Sequence, residues 1–357
     1  MSEPGLRELG FAGAVAAAFA PFASLGLVPG RVVVGHARLL RVRTDEGEAL
    51  AEVAGSLRHQ ARGPEDRPAV GDWVALRPGG GGHRAVVQAL LPRRTAFLRR
   101  AAGDRTVAQV LAANVDTVFL VMGLDGDFNP RRLERALILA WESGALPVVL
   151  LNKADVCDDP EARRAEIEAV APGVPVRVIA AKAGEGLEAL AQWLVPGHTV
   201  ALMGSSGVGK STLVNRLLGR EKQKTREVRE GDQRGRHTTT HRELVVLPGG
   251  ALLLDTPGLR ELQLWSDGAG LETAFGDVHE LAFACRFTDC HHGSEPGCAV
   301  RAAVEAGRLD SDRLDSYLKL QAEMRALEVR DDPLKRREER SRWKAIHKSL
   351  RHGKREP

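Results

Sequence analysis

The stretch GFAGAVAAAFAPFASLGLVPG, Gly10 to Gly30, is apolar almost throughout and is interrupted by Pro21. It predicts an amphipathic helix and a connector that lie on the body of the protein. From Arg31 to Arg100 the pattern shortens: RVVVGHARLLRVRT, ALAEVAG, DWVALRP and RAVVQALL alternate or run apolar, punctuated by Gly, Pro and Asp. About five short strands are expected here, and a small closed β-barrel of the OB type suits them. From about Val115 helical and strand patterns alternate. VDTVFLVMG reads as a buried strand, and NPRRLERALILAWESG as a helix capped by Asn129 with Pro130 in its first turn. PVVLL, PVRVIAA and HTVALMG continue the strands, with PEARRAEIEAVA and EGLEALAQWLV as helices between them, and a further helix opens at Lys210. HRELVVLPGGALLLDTPG predicts a hairpin turning at Pro248 to Gly250. Six strands with interleaved helices imply a mostly parallel sheet covered on both faces.

Composition changes this picture in two places. The chain has 357 residues, room for several cores, and a formal net charge of +4. The charge is uneven, because the end, LKRREERSRWKAIHKSLRHGKREP, is dense in Lys and Arg. Such an end suits a polyanion, although a solvated basic helix has the same composition. Arg38, Arg41, Arg43, Arg58, Arg62, Arg93 and Arg94 also load the barrel segment, where the main aromatics are Trp73 and Phe97. Contact with a nucleic-acid backbone is therefore expected there, more than base stacking. No stretch reads as membrane-spanning, and Glu3, Arg7 and Glu8 are not the basic start of a secretion signal. Of four cysteines, three lie between Cys285 and Cys298, which points to a metal site in a reducing cytoplasm rather than to disulfides.

The motifs carry the chemistry. Gly204-Ser205-Ser206-Gly207-Val208-Gly209-Lys210-Ser211-Thr212 follows a strand and opens a helix, the full pattern of a phosphate-binding loop. Its glycines let backbone N–H groups point at phosphate oxygens, Lys210 reaches the outer phosphates, and the Ser211 hydroxyl suits Mg²⁺. Asp255 after ALLL can hold Mg²⁺ through water, and the Gly258 N–H can meet a γ-phosphate. Between them, Thr238, Thr239 and Thr240 suit a switch segment in which one Thr closes on Mg²⁺, while the same run is also a β-prone entry to the next strand. Asn152-Lys153-Ala154-Asp155 ends an apolar strand. A carboxylate at Asp155 accepts the two N–H groups of guanine, a pair that adenine lacks. Asn152 would brace that loop and contact the base, and the stem of Lys153 would cover the ring. Ala181 and Lys182 resemble the second guanine loop, with Ala180 where Ser is usual.

The order along the chain is base loop, second base loop, phosphate loop, switch I, switch II. This is a rotation of the usual order, which a domain with adjacent termini tolerates. It predicts a circularly permuted α/β P-loop GTPase domain over residues 110–268, behind an extension (1–30) and an RNA-binding OB barrel (31–100). Residues 269–357 are expected to form a mainly helical zinc-binding domain with a basic helix or tail. There Cys285, Cys290, His292 and Cys298 offer a closed Cys₃His tetrahedron for one structural Zn²⁺; His291 competes with its neighbour, and Cys157 fills a core gap.

Together, GRHTTT, DTPGLRE and CRFTDCHHGSEPGCAV within this three-part order resemble the ribosome small-subunit-dependent GTPase family (RsgA, also called YjeQ). The resemblance covers nearly the whole chain. It implies a cytoplasmic, monomeric protein that binds GTP and GDP with Mg²⁺, docks on 16S rRNA of the 30S subunit late in maturation, and hydrolyses GTP when docked. Leu259 stands where many GTPases carry a water-orienting Gln, so slow intrinsic hydrolysis is expected. The resemblance implies His237 as the replacement and Thr239 as the Mg²⁺ ligand, with Thr240 second. Rival readings are a permuted GTPase of the large subunit and an RNA-binding scaffold that senses GTP without fast turnover. A P-loop kinase is disfavoured by Asn152 and Asp155.

Overall fold

The computed structural model describes residues 5–35, 39–80, 84–100, 108–219, 242–255 and 269–331, and divides into two compact units, Met1–Gln263 and Leu264–Pro357. The first unit opens with helix α1 (Gly13–Ala23), whose Val15 and Phe19 are buried. Five strands then follow: β1 (Val28–Gly35), β2 (Leu40–Thr44), β3 (Gly47–Val53), β4 (Trp73–Arg77) and β5 (Ala85–Leu90), with the short helix α2 (Gly55–Gln60) after β3. They close in the order β1-β2-β3-β5-β4-β1, with β3 and β5 parallel and every other pair antiparallel. This is the five-stranded barrel expected, except that β1 begins at Val28 rather than Arg31. Val32, Val42, Val74, Leu76 and Val87 fill its interior and are fully buried.

The hairpin of β6 (Ala96–Arg100) and β7 (Ala108–Ala113) was not legible in the sequence, being Ala-rich and poor in β-branched residues. Beyond it lie β8 (Thr117–Gly123), α3 (Pro130–Ser143), β9 (Leu146–Asn152), α4 (Pro160–Val170), β10 (Val176–Val178), β11 (Thr199–Met203), α5 (Lys210–Leu218), β12 (Arg242–Val246) and β13 (Leu252–Asp255). Their sheet order is β10-β9-β8-β11-β13-β12, parallel except for β12. Every residue of β8 is buried, as a central strand covered on both faces requires. Helix α3 starts where expected: Asn129 Oδ1 accepts from Arg132 N at 3.1 Å, Pro130 occupies the first turn, and Gly144 ends it with φ 81°.

EGLEALAQWLV is not a helix but one 3₁₀ turn, Leu187–Leu190, followed by turns. Leu187, Leu190, Trp193 and Leu194 all pack on the same face of the sheet. A spacing of three suits a 3₁₀ turn better than an α-helix, which would rotate Trp193 away.

The barrel and the α/β sheet are joined through buried polar groups. Arg31 is 2 % exposed. It donates to the Thr199 hydroxyl (2.7 Å), the Asn114 carbonyl (3.2 Å), the Gly71 carbonyl (3.4 Å) and the Leu9 carbonyl, and lies over the Trp73 ring. Burial pulls its pKa down to about 10, so it stays charged at neutral pH. Asp116 accepts from Thr199 N (2.8 Å) and pairs with Arg94 (2.8 Å). One cation thus ties the extension, the barrel and the start of β11, and β1 pairs with β12 at Val34 and Gly35.

The second unit contains α6 (Ala269–Ala274), α7 (Gly276–Ala282), α8 (Ala299–Glu305) and α9 (Ser311–Asp331). Its core includes Phe275, Val278, Val300 and Tyr317, and Arg313 grips Asp277 at 2.9 and 3.0 Å while lying over the Phe275 ring. Among the described residues, no helix is long and apolar enough to cross a membrane.

Replacing Arg31 by Ala leaves several buried acceptors unpaired and is expected to cost about 3 kcal/mol. Urea unfolding followed by tryptophan fluorescence checks it. Arg31→Lys should recover only part, because one ammonium cannot reach the partners that the planar fork serves. An unchanged midpoint for Arg31→Ala would show that the joint does not depend on this cation.

Candidate nucleotide site and metal centre

The parallel strands β9, β8 and β11 lie side by side, so the loops at their C-terminal ends share one edge of the sheet. Asn152 ends β9 and is 2 % exposed. Its Nδ2 donates to the Val208 carbonyl of the phosphate loop at 2.7 Å, and its Oδ1 accepts from Ala181 N of the second base loop at 2.9 Å. The three loops expected to surround one nucleotide are therefore lashed together by one amide. Gly209 shows how tightly: its φ is 95°, and a Cβ there would lie 2.2 Å from Asn152 Nδ2. No side chain fits between the phosphate loop and its brace.

The remaining residues take distinct places. Lys153 adopts the left-handed conformation (φ 69°, ψ 38°), and its ammonium pairs with Asp125. The Asp155 carboxylate is exposed in the following 3₁₀ turn. Ala181 is buried and Lys182 exposed, and Arg216 of α5 donates to both their carbonyls, at 3.2 Å for Ala181. Gly204 leaves β11 with φ 151°. Ser205 is partly buried, Ser206 and Gly207 are exposed, and Val208 is buried under the loop. Lys210, Ser211 and Thr212 form the first turn of α5, and Lys210 Nζ bonds the Gly204 carbonyl at 2.7 Å and the Ser205 carbonyl. Asp255 ends β13 beside β11. His237, Thr239 and Gly258 lie outside the described residues, as do Thr238, Thr240 and Leu259.

Two residues near this edge were missed in the sequence. Arg132, in the first turn of α3, donates to Ser205 Oγ at 2.6 Å and to Asp127. Asp125 holds Lys153. The available signal was their position in a strand-to-helix loop at the C-terminal edge of a parallel sheet, where ligands bind.

In the second unit the ligand atoms of Cys285, Cys290, His292 and Cys298 lie within 4.8 Å of one another. His292 Nδ1 is 3.4 Å from Cys298 Sγ and 3.7 Å from Cys285 Sγ. Tetrahedral thiolate ligation of Zn²⁺ places sulfurs about 3.8 Å apart, so the cluster can hold a metal ion. Burial lowers the pKa of the His292 imidazole, which favours the neutral, ligating form. His291, the alternative ligand, instead meets Arg325 at 2.8 Å.

The barrel arginines are less available than their number suggests. Arg41 and Arg43 pair with Glu48, Arg62 with Asp66, Arg93 with Asp72 and Arg94 with Asp116. Arg58 is exposed without a carboxylate partner among the described residues, as are Arg67 and Arg77; Arg38 lies outside them.

Comparison with known proteins agrees with this geometry. The family model described as RsgA GTPase matches residues 90–265. A curated protein of Opitutus terrae named "Small ribosomal subunit biogenesis GTPase RsgA" is 52 % identical over 355 residues, covering 97 % of this chain and 97 % of that protein. The crystal structure of YjeQ from Thermotoga maritima superposes with a TM-score of 0.63 at 28 % identity, covering 84 % of this chain and 98 % of the other. YloQ, described as a circularly permuted GTPase, shares the fold with a TM-score of 0.59 at 22 % identity, covering 84 % and 96 %.

Asn152→Ala removes both hydrogen bonds and leaves Ala181 N and the Val208 carbonyl without their partner. Losing them is expected to lower stability by about 2 kcal/mol and guanine-nucleotide affinity at least tenfold. Thermal unfolding and nucleotide titration of the same variant check the two effects; unaltered affinity would show that the loops hold their places unaided.

Proposed function

The chain belongs to the RsgA GTPase family, and on that premise we propose that it hydrolyses GTP in the biogenesis of the small ribosomal subunit. The observation that carries this is the Asn152 side chain, bonded to both the phosphate loop and the second base loop. It supports a single site in which Asp155 and Lys210 grip opposite ends of one nucleotide.

In that site the backbone N–H groups of Gly204 to Gly209 and the N-terminus of α5 receive the phosphates, and Lys210 moves from the loop carbonyls to their outer oxygens. Ser211, Thr239 and Asp255 would hold Mg²⁺, which neutralises charge on the phosphate oxygens. Asp155 reads the guanine edge, Asn152 braces the loops, Lys153 covers the ring, and Ala181 and Lys182 complete the base pocket. Gly258 meets the γ-phosphate, and His237 orients the attacking water in place of a Gln. Leu259 cannot do so, which leaves hydrolysis slow until docking organises the switches.

Cys285, Cys290, His292 and Cys298 bind one structural Zn²⁺, since a closed set of three thiolates and an imidazole leaves no position for water. Docking on the 30S subunit uses 16S rRNA, with Arg58, Arg67, Arg77 and the basic end as the phosphate contacts. The protein acts as a cytoplasmic monomer.

GTP turnover measured with 30S particles, 50S particles and no particle tests the assignment: stimulation is expected from 30S alone. Equal stimulation by 50S would overturn the small-subunit reading. His237→Ala should bind GTP normally and lose about a hundredfold of stimulated turnover; undiminished turnover removes His237 from catalysis. Metal analysis should find one Zn²⁺ per chain. Chelation should melt the helices of the second unit while GDP still binds, and a chelated protein with an unchanged melting profile argues against a structural metal.

A further inference from the structure

The guanine motifs leave out one loop that touches both halves of the site. It runs from β8 to α3, GLDGDFNP, Gly123 to Pro130, and leaves the same sheet edge as the base loop, because Gly123 pairs with Asn152. At one end it is anchored to the phosphate loop: Arg132 Nη1 bonds both Asp127 of this loop and Ser205 Oγ, the latter at 2.6 Å. Asn129 caps the helix that carries Arg132, and the Phe128 ring lies under the Arg163 guanidinium of α4, 4.8 Å from its centroid. At the other end Asp125 Oδ2 receives the Lys153 ammonium, while Asp125 Oδ1 accepts from Asp127 N at 3.3 Å.

Lys153 is one of three non-glycine residues with positive φ among those described, and that backbone conformation sets the direction in which its stem leaves the chain. A lysine stem samples many rotamers unless its ammonium is fixed. The Asp125 and Lys153 side chains are 36 % and 26 % exposed, so the pair adds little to stability. What it can do is aim the stem.

We propose that Asp125 is a positioning residue of the nucleotide site, fixing Lys153 so that its methylene stem lies over the face of a bound purine. This rests on the reading of the site as one for guanine nucleotides. Because the contact is with the face of the ring, it is indifferent to the groups on the edge that Asp155 reads. Asp125 therefore sets affinity without setting base choice, and it acts only through Lys153.

The test uses the full chain, mant-GDP fluorescence, and competition by GDP and by IDP, which lacks the 2-amino group. Asp125→Ala is expected to weaken GDP and IDP by the same factor, about tenfold, the size of one charge-assisted contact. The isosteric Asp125→Asn should fall between it and the wild type. Lys153→Ala should lose at least as much, and the double variant no more than Lys153→Ala alone. Thermal midpoints without nucleotide should stay at the wild-type value. Undiminished binding by Asp125→Ala, additive losses in the double variant, or an altered ratio of GDP to IDP affinity would each overturn the inference. If the wild type itself fails to bind mant-GDP, the guanine-site reading falls first and this one with it.

Discussion

One buried amide organises the candidate nucleotide site. Asn152 has a donor and an acceptor at the tip of a rigid strand, and both are satisfied by backbone groups of other loops, Val208 on one side and Ala181 on the other. A buried amide left unpaired is costly, so each loop is held where it meets the amide. The bonds span a wide separation along the chain, which is how a rotated connectivity still brings these loops together. In a parallel sheet the position of a loop is set by its strand's neighbours, not by its place in the chain. The order β9-β8-β11 puts the base loop and the phosphate loop on the same edge whichever is made first.

At the opposite ends of those strands a second polar joint faces the barrel. Arg31 and Asp116 both meet Thr199, the first residue of β11, so the strand that carries the phosphate loop begins in the seam with the barrel. Removing a guanidinium from water is unfavourable, and the four acceptors and the Trp73 face around Arg31 offset that cost. Such a joint specifies one arrangement more sharply than an apolar contact does, because a shift of an ångström would break several hydrogen bonds at once.

Charge counted along the sequence misjudges what the barrel offers to a polyanion. Five of the arginines in the barrel segment pair with Glu48, Asp66, Asp72 and Asp116, and Asp72, the partner of Arg93, is fully buried. Arg43 and Arg93 are mostly covered, whereas Arg41, Arg62 and Arg94 keep their pairs at the surface, and Arg58, Arg67 and Arg77 are exposed without a carboxylate partner among the described residues.

Much of this was legible in the amino-acid sequence because it is local chemistry. The phosphate-loop pattern, Asn152 to Asp155 and the Cys₃His set are short strings visible as such in the sequence, and capping at Asn129 and Pro130 follows from adjacent residues. Alternation and apolar runs sufficed for the barrel strands and for the six strands of the α/β sheet. The β6–β7 hairpin escaped because alanine has no strand preference, and the turn at Leu187 because a spacing of three resembles a helix until the sheet face beneath it is known. Partnership was beyond reach in every case. Arg31 with Thr199, Arg132 with Ser205 and Lys153 with Asp125 are far apart in the chain, and a charged residue carries no mark of which distant group it will meet. Residue type and spacing determined which chemistry to expect. Only strand order and packing decided which groups face one another, because those distances are set by the folded sheet and not by the chain.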